Sequence, residues 1–185
     1  KEDGSGVDGI GTALCWSPSG SLIAASQVLR DTITRVIFFE RNGLRHREFD
    51  IENANPAHYR VAALQWNAES DVLAVLLDSV ADGMHGSRLQ LWHRSNYHWF
   101  MKREIRVGGP GAQAGADKRI SCVGWDQEKA YRLTFCVAAA GEAVEVRELD
   151  VCWDYTASIT DDCTVANIDG GAPMSLWGAL SSCRG

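Results

Sequence analysis

Three stretches of the chain carry apolar and polar positions in the same order. ALCW at 13–16 is followed by SPSGSLIAAS, ALQW at 63–66 by NAESDVLAVLL, and CVGW at 122–125 by DQEKAYRLTFCV. Each is a short apolar segment ending in Trp, then a polar turn, then a second apolar segment. Runs of that length between turn residues suit strands rather than helices. A third apolar run follows: TRVIFFE at 34–40, RLQLWH at 88–93 and AVEVREL at 143–149. From Trp16 to Val36 is 20 residues, from Trp66 to Leu89 is 23 and from Trp125 to Val144 is 19, so one unit is copied three times.

A fourth strand is predicted in each copy. In the first, VIFFE turns through Arg41, Asn42 and Gly43 into LRHREFDI, and Asn-Gly between two strand-like runs is a strong hairpin signal. In the second, LQLW turns through residues 93–96 into YHWFMKREI, with Asn96 where Gly43 falls; Asn tolerates the positive φ such a turn needs. Alternation along that strand sends Tyr97, Trp99 and Met101 to one face and His98, Phe100 and Lys102 to the other. In a unit covered on both sides, this aromatic run serves packing; a partner contact at the rim is the alternative.

Four antiparallel strands per unit, repeated after 50 residues (Trp16 to Trp66) and 59 residues (Trp66 to Trp125), predict blades of a WD-repeat β-propeller. The units fall at about 10–60, 61–118 and 119–160, and CTVANIDGGAPMSLWGAL from Cys163 is expected to open a partial fourth over 161–185. The surplus over the usual period of about 40 to 45 residues sits in loops at 28–33, 78–87 and 108–118, where partner specificity is expected. A closed propeller takes about 4 to 8 blades, so the parent protein is expected to continue beyond this all-β piece, as a propeller of seven blades.

Composition changes little in that picture. At 185 residues, 45% hydrophobic and 23% charged, the chain has the balance of an ordinary globular domain. No apolar run approaches the 18 residues of a membrane helix, and a net charge of -6 opposes nucleic-acid binding by the field of the whole domain. Lys1 stands where a Met or a leader would, which points to an excised piece. Six cysteines include no Cys-x-x-Cys pair and no His at ligand spacing. Four of them lie in apolar strand-like runs, so free thiols in a reducing compartment, cytoplasm or nucleus, are expected ahead of disulfides or a metal site.

The sharper motifs lose to plainer readings. Residues 4–9, GSGVDG, match G-x-G-x-x-G, but they precede a strand instead of following one, so a loop is expected and no cofactor. Gly109, Pro110 and Gly111 lack the GK[ST] ending of a phosphate loop. No Ser or Cys has a nucleophile signature beside one of the five His residues, and Asp161 and Asp162 suit a solvated turn better than a metal. No catalytic residue and no metal ligand is assigned. The candidate contacts to a partner or to RNA are Arg41, Arg45 and Arg47 on one outer strand and Tyr97, Trp99, Lys102 and Arg103 on its counterpart; a solvated outer strand whose charges discourage edge pairing is the plainer reading.

VIFFERNGLRHREFDI at 36–51, LQWNAESDVLAVLL at 64–77, LQLWHRSNYHWFMKREI at 89–105 and WDQEKAYRLTFC at 125–136 resemble the first WD-repeat propeller of the largest, scaffold subunit of the Elongator complex. The resemblance runs from about Ala13 to about Asp169, and the loops at 78–87 and 108–118 depart from it. It implies a non-catalytic scaffold in the complex that builds 5-carboxymethyl-type side chains on wobble uridines of transfer RNA. The implied partners are the other subunits, among them a second WD-repeat protein and a catalytic subunit similar to radical S-adenosylmethionine enzymes and acetyltransferases. Acetyl-CoA, S-adenosylmethionine and an iron-sulfur cluster would belong to that partner and no cofactor to this chain. A homodimer would form through regions elsewhere in the parent, with transfer RNA contacted indirectly and no membrane involved. An RNA-contacting or general protein-interaction propeller is the alternative.

Overall fold

The computed structural model describes residues 9–81, 86–109, 118–139 and 142–151, together with the backbone of 159–168. Among the described residues twelve strands follow one another: β1 (Ile10–Trp16), β2 (Leu22–Leu29), β3 (Ile33–Glu40), β4 (Arg45–Asp50), β5 (Tyr59–Trp66), β6 (Val72–Ser79), β7 (Gly86–Ser95), β8 (His98–Gly108), β9 (Arg119–Trp125), β10 (Arg132–Ala138), β11 (Val144–Val151) and β12 (Ile159–Ile168). They form three four-stranded antiparallel meanders, β1 to β4, β5 to β8 and β9 to β12, which we call blades 1, 2 and 3.

The residue after each repeated Trp closes the first turn of its blade. The Ser17 hydroxyl accepts the Leu22 N–H at 3.0 Å. The Asn67 side-chain oxygen accepts the N–H groups of Asp71 at 3.1 Å and Val72 at 2.9 Å. Asp126 accepts from Glu128 and Lys129. Short polar side chains that bond backbone just ahead hold tight turns, so the three turns share a mechanism although their residues differ. They also touch across blades: the Ser19 N–H donates to the Ser70 hydroxyl at 3.0 Å, and the Tyr131 hydroxyl to Asp71 at 2.8 Å. Burial first and then this bond to a carboxylate push the Tyr131 phenol up to about 12.

Two cores fill the gaps between blades. Ala24, Val36 and Phe38 of blade 1 pack with Leu64, Leu73 and Val75 of blade 2; Leu76, Leu89 and Leu91 on the other side of blade 2 pack with Val123, Leu133 and Phe135 of blade 3. Strand β6 is therefore covered on both faces, and from Val72 to Leu77 every residue is buried, which is why it is a continuous apolar run and not an alternating one. The residues at the end of β5 and β9 show the same stacking. Trp66 is 6% exposed, and the Trp125 indole N–H donates to the Gln65 carbonyl of the preceding blade at 3.1 Å. Trp16, with no blade over it among the described residues, is 52% exposed.

Two expectations need correction. Strand β12 pairs with β11, with Glu148 opposite Cys163 and Val144 opposite Ile168. Residues 163–168 thus complete blade 3 and do not open a fourth unit, and Asp161 and Asp162 lie within the strand, not in a turn. A meander needs its fourth strand to close the sheet, and this one begins after 152–158, a stretch without an Asn-Gly signal. The rest of the expected fourth unit, 169–185, residues 4–8 of the motif at 4–9, 82–85 of the loop at 78–87 and 110–117 of the loop at 108–118 lie outside the described residues. The second correction concerns Tyr97, which stands in a turn and not in a strand. The hairpin joins Ser95 to His98 through Asn96 (φ 47) and Tyr97 (φ 64), the two-residue turn with both central residues left-handed whose twist matches that of the flanking strands.

Candidate functional site

The residues singled out from the sequence separate once the strands are placed. Bulges decide how. In β4, Arg47 opposes Phe38 and Arg45 opposes Phe39, with an irregularity between the two pairs, so Arg47 lies on the side of blade 1 that meets blade 2. Arg45 turns to its own strand and pairs with Glu48 at 2.9 Å. In β8, Met101 opposes Trp92 and Arg103 opposes Leu91, with a bulge between the pairs. Arg103 is therefore on the side toward blade 3, away from Arg47. The Lys102 ammonium lies over the Phe100 ring, 5.6 Å from its centroid.

Trp99 belongs to packing. It stacks on Phe38 with ring centroids 5.0 Å apart and 10° between planes, and meets Trp66 edge-on at 5.5 Å. Phe49 stacks on Trp92 at 4.2 Å, completing a five-ring cluster between blades 1 and 2. Offset stacks and edge contacts of this kind add to simple burial. Tyr97 does the opposite: its side chain is 75% exposed at the turn. Arg47 reaches it from the neighbouring blade, donating a guanidinium N–H to the Tyr97 carbonyl at 3.2 Å, with the guanidinium carbon 5.6 Å from the ring centroid.

Between these groups runs a cleft of about 360 Å³ with Leu22, Phe38 and Trp99 at its floor and Arg47, Arg94 and Tyr97 at its walls. It continues past His46 into a depression lined by Arg41, Asn42 and Arg94, and on the other side along Phe49 and His98. The nearby carboxylates are engaged: Glu40 with His46 at 3.3 Å, Glu48 with Arg35 at 3.2 Å and with Arg45. Arg41 and Arg94 have no ion-pair partner among the described residues. A patch of net positive charge thus surrounds an apolar floor and one displayed aromatic ring.

Arg47, Tyr97, Trp99 and, at the edge, Arg41 come together; Arg45, Lys102 and Arg103 do not join them. Arg94 and the floor residues Leu22 and Phe38 were missed from sequence. A signal for Arg94 exists. Aligning Gly43 with Asn96 puts Arg41 and Arg94 two residues before them in consecutive units, and the structure sets both beside one depression.

A family model described as "ELP1 first N-terminal beta-propeller" matches residues 2–128. Putative elongator complex protein 1 of Xenopus laevis is 40% identical over 129 residues, covering 69% of this chain and 10% of that protein. Elongator complex protein 1 of Saccharomyces cerevisiae is 40% identical over 133 residues, 70% of this chain and 8% of that protein. The match to Elongator complex protein 1 of Schizosaccharomyces pombe is 32% identical over 174 residues, reaching 91% of this chain and 12% of that protein. The chain spans about a tenth of the length of these relatives. Repeated blades, inter-blade packing and these matches together place the chain in the Elongator complex protein 1 family, as a fragment of its first N-terminal β-propeller.

Proposed function

We propose that this chain is part of the non-catalytic scaffold of an Elongator complex that modifies wobble uridines of transfer RNA, and that its propeller holds other subunits at its rims. Membership of the Elongator complex protein 1 family carries this reading. The cleft supports it: cations and aromatic rings on a rigid two-blade frame suit docking, since such side chains dominate interface energetics. The chemistry would belong to a partner subunit that binds acetyl-CoA, S-adenosylmethionine and an iron-sulfur cluster, in the cytoplasm or nucleus. Affinity purification of the full-length parent from its own cells, with mass spectrometry of stoichiometric partners, tests the assembly. Recovery of a radical-enzyme and acetyltransferase-like subunit with a second WD-repeat protein is expected, together with loss of the wobble-uridine modification when the parent is depleted. Absence of that catalytic subunit, or modification that survives depletion, would overturn the reading.

A further inference from the structure

We infer that the cleft between blades 1 and 2 docks an acidic polypeptide segment, whose carboxylates meet Arg41 and Arg94 while an apolar side chain lies against the Tyr97 ring. This rests on reading the chain as an assembly scaffold and adds the surface and the chemistry of its occupant.

Charge is the first ground. The chain carries a net charge of -6, yet Arg41, Arg47 and Arg94 gather along one groove. Arg41 and Arg94 lack an ion-pair partner among the described residues, while Glu40 is engaged by His46 and Glu48 by Arg35 and Arg45. Guanidinium groups present a planar fork of donors that fits a carboxylate with two bonds.

The second ground is conformational. A bulky residue seldom takes φ 64, and backbone held in such a region clusters where function needs it. Arg47 fixes this one by binding the Tyr97 carbonyl across the gap between blades. The ring is therefore displayed before any partner arrives, and little ordering entropy is lost on docking.

A polypeptide fits better than a nucleic acid. A phosphate backbone needs a track of cations at repeating intervals, whereas Arg45 is paired with Glu48 and Arg103 lies on the side toward blade 3.

The test places a genetically encoded benzophenone amino acid at position 97 of the full-length protein in its own cell. After irradiation, the cross-linked peptide is identified by mass spectrometry, synthesised, and titrated against the purified protein. The expected product is a peptide in which Asp and Glu outnumber Lys and Arg. Its affinity should fall at least tenfold in the double variant Arg41→Glu, Arg94→Glu and at least fivefold in Tyr97→Gly, which keeps the turn because Gly accepts positive φ. Arg103→Glu should leave it unchanged. Cross-linking to RNA, to a peptide without acidic excess or to nothing would overturn the proposal, and so would an affinity indifferent to the charge reversal. If the complex still co-purifies intact in that case, only this docking surface falls; if the wild-type complex never co-purifies, the scaffold reading falls with it.

Discussion

Two thiols in the first strands of their blades have opposite chemistry. Cys15 lies in the gap between blades 1 and 2, and burial pushes its thiol up to about 12. Cys122 stands directly opposite Cys136 across β9 and β10, and hydrogen bonding by that neighbouring thiol, against a smaller opposing effect of burial, brings Cys122 down to about 7. Because the thiolate is the nucleophile, iodoacetamide should label Cys122 at a rate that climbs between pH 6 and 8 and then levels, while Cys15 stays unlabelled in the native protein. Cys136→Ala removes the donor and should move that rise to higher pH. Peptide mapping across a pH series checks both, and a Cys122 rate that is flat from pH 6 to 8 would contradict the assignment. Cys15, Cys122 and Cys136 are thiols and not half-cystines, as expected from their apolar settings; the different reactivity of Cys15 and Cys122 was not legible, because it depends on which residue lies opposite in the sheet and not on the residues beside them in the chain.

At the scale of elements, a polar network fastens the crossover from blade 1 to blade 2. Gln90 is fully buried, and its amide donates to the Glu52 carbonyl at 2.8 Å and to the Glu104 carboxylate at 2.7 Å. Its oxygen accepts the Trp92 indole N–H at 3.0 Å. Arg88 adds a bond to the Asn53 carbonyl at 3.1 Å and lies 4.3 Å from the Tyr59 ring centroid. Gln90→Leu keeps the volume but takes the partner from the buried Trp92 indole N–H and from two part-buried acceptors, the Glu52 carbonyl and a Glu104 carboxylate oxygen, at about 1–3 kcal/mol for each left unsatisfied. A fall of at least about 2 kcal/mol in urea unfolding is expected on that basis; a change under about 0.5 kcal/mol, the usual size for a surface site, would mean that water replaces the amide. The hairpins were legible because Asn-Gly and an aligned Asn announce positive φ. The seat of Tyr97 was not, since alternation continues smoothly through it and only the pairing of Ser95 with His98 shows where the strand begins. The cleft was half legible for the same reason: one-residue bulges in β4 and β8 decide which arginines share a side, and bulges leave no mark in an apolar pattern.

At the scale of the whole molecule, position in the stack sets what a residue contributes. Leu14 and Trp16 correspond to Leu64 and Trp66, which blade 1 covers, yet both are exposed. An apolar sheet face of this kind marks a contact surface, and in the full-length protein a further blade is expected to cover it. Trp66→Ala should then cost about 3–5 kcal/mol and Trp16→Ala nearly as much. An effect of Trp16→Ala within about 0.5 kcal/mol, as at an exposed site, would show that β1 remains uncovered in the intact protein.

The two rims of the meanders carry different connections. Turns after first or third strands fall on one rim, where 17–21, 41–44 and 96–97 are tight, and the links from one blade to the next, 51–58 and 109–118, fall on the other. Tyr97, Arg41 and Arg94 belong to the tight rim. A loop can double in length for only about 0.6 kcal/mol, so the opposite rim can accept insertions, epitope tags or a fluorescent module between 109 and 118 without displacing the cleft. The propeller's two ends are thus free to diverge separately: the end away from the cleft can take up length while the Arg41, Arg94 and Tyr97 positions stay where they are.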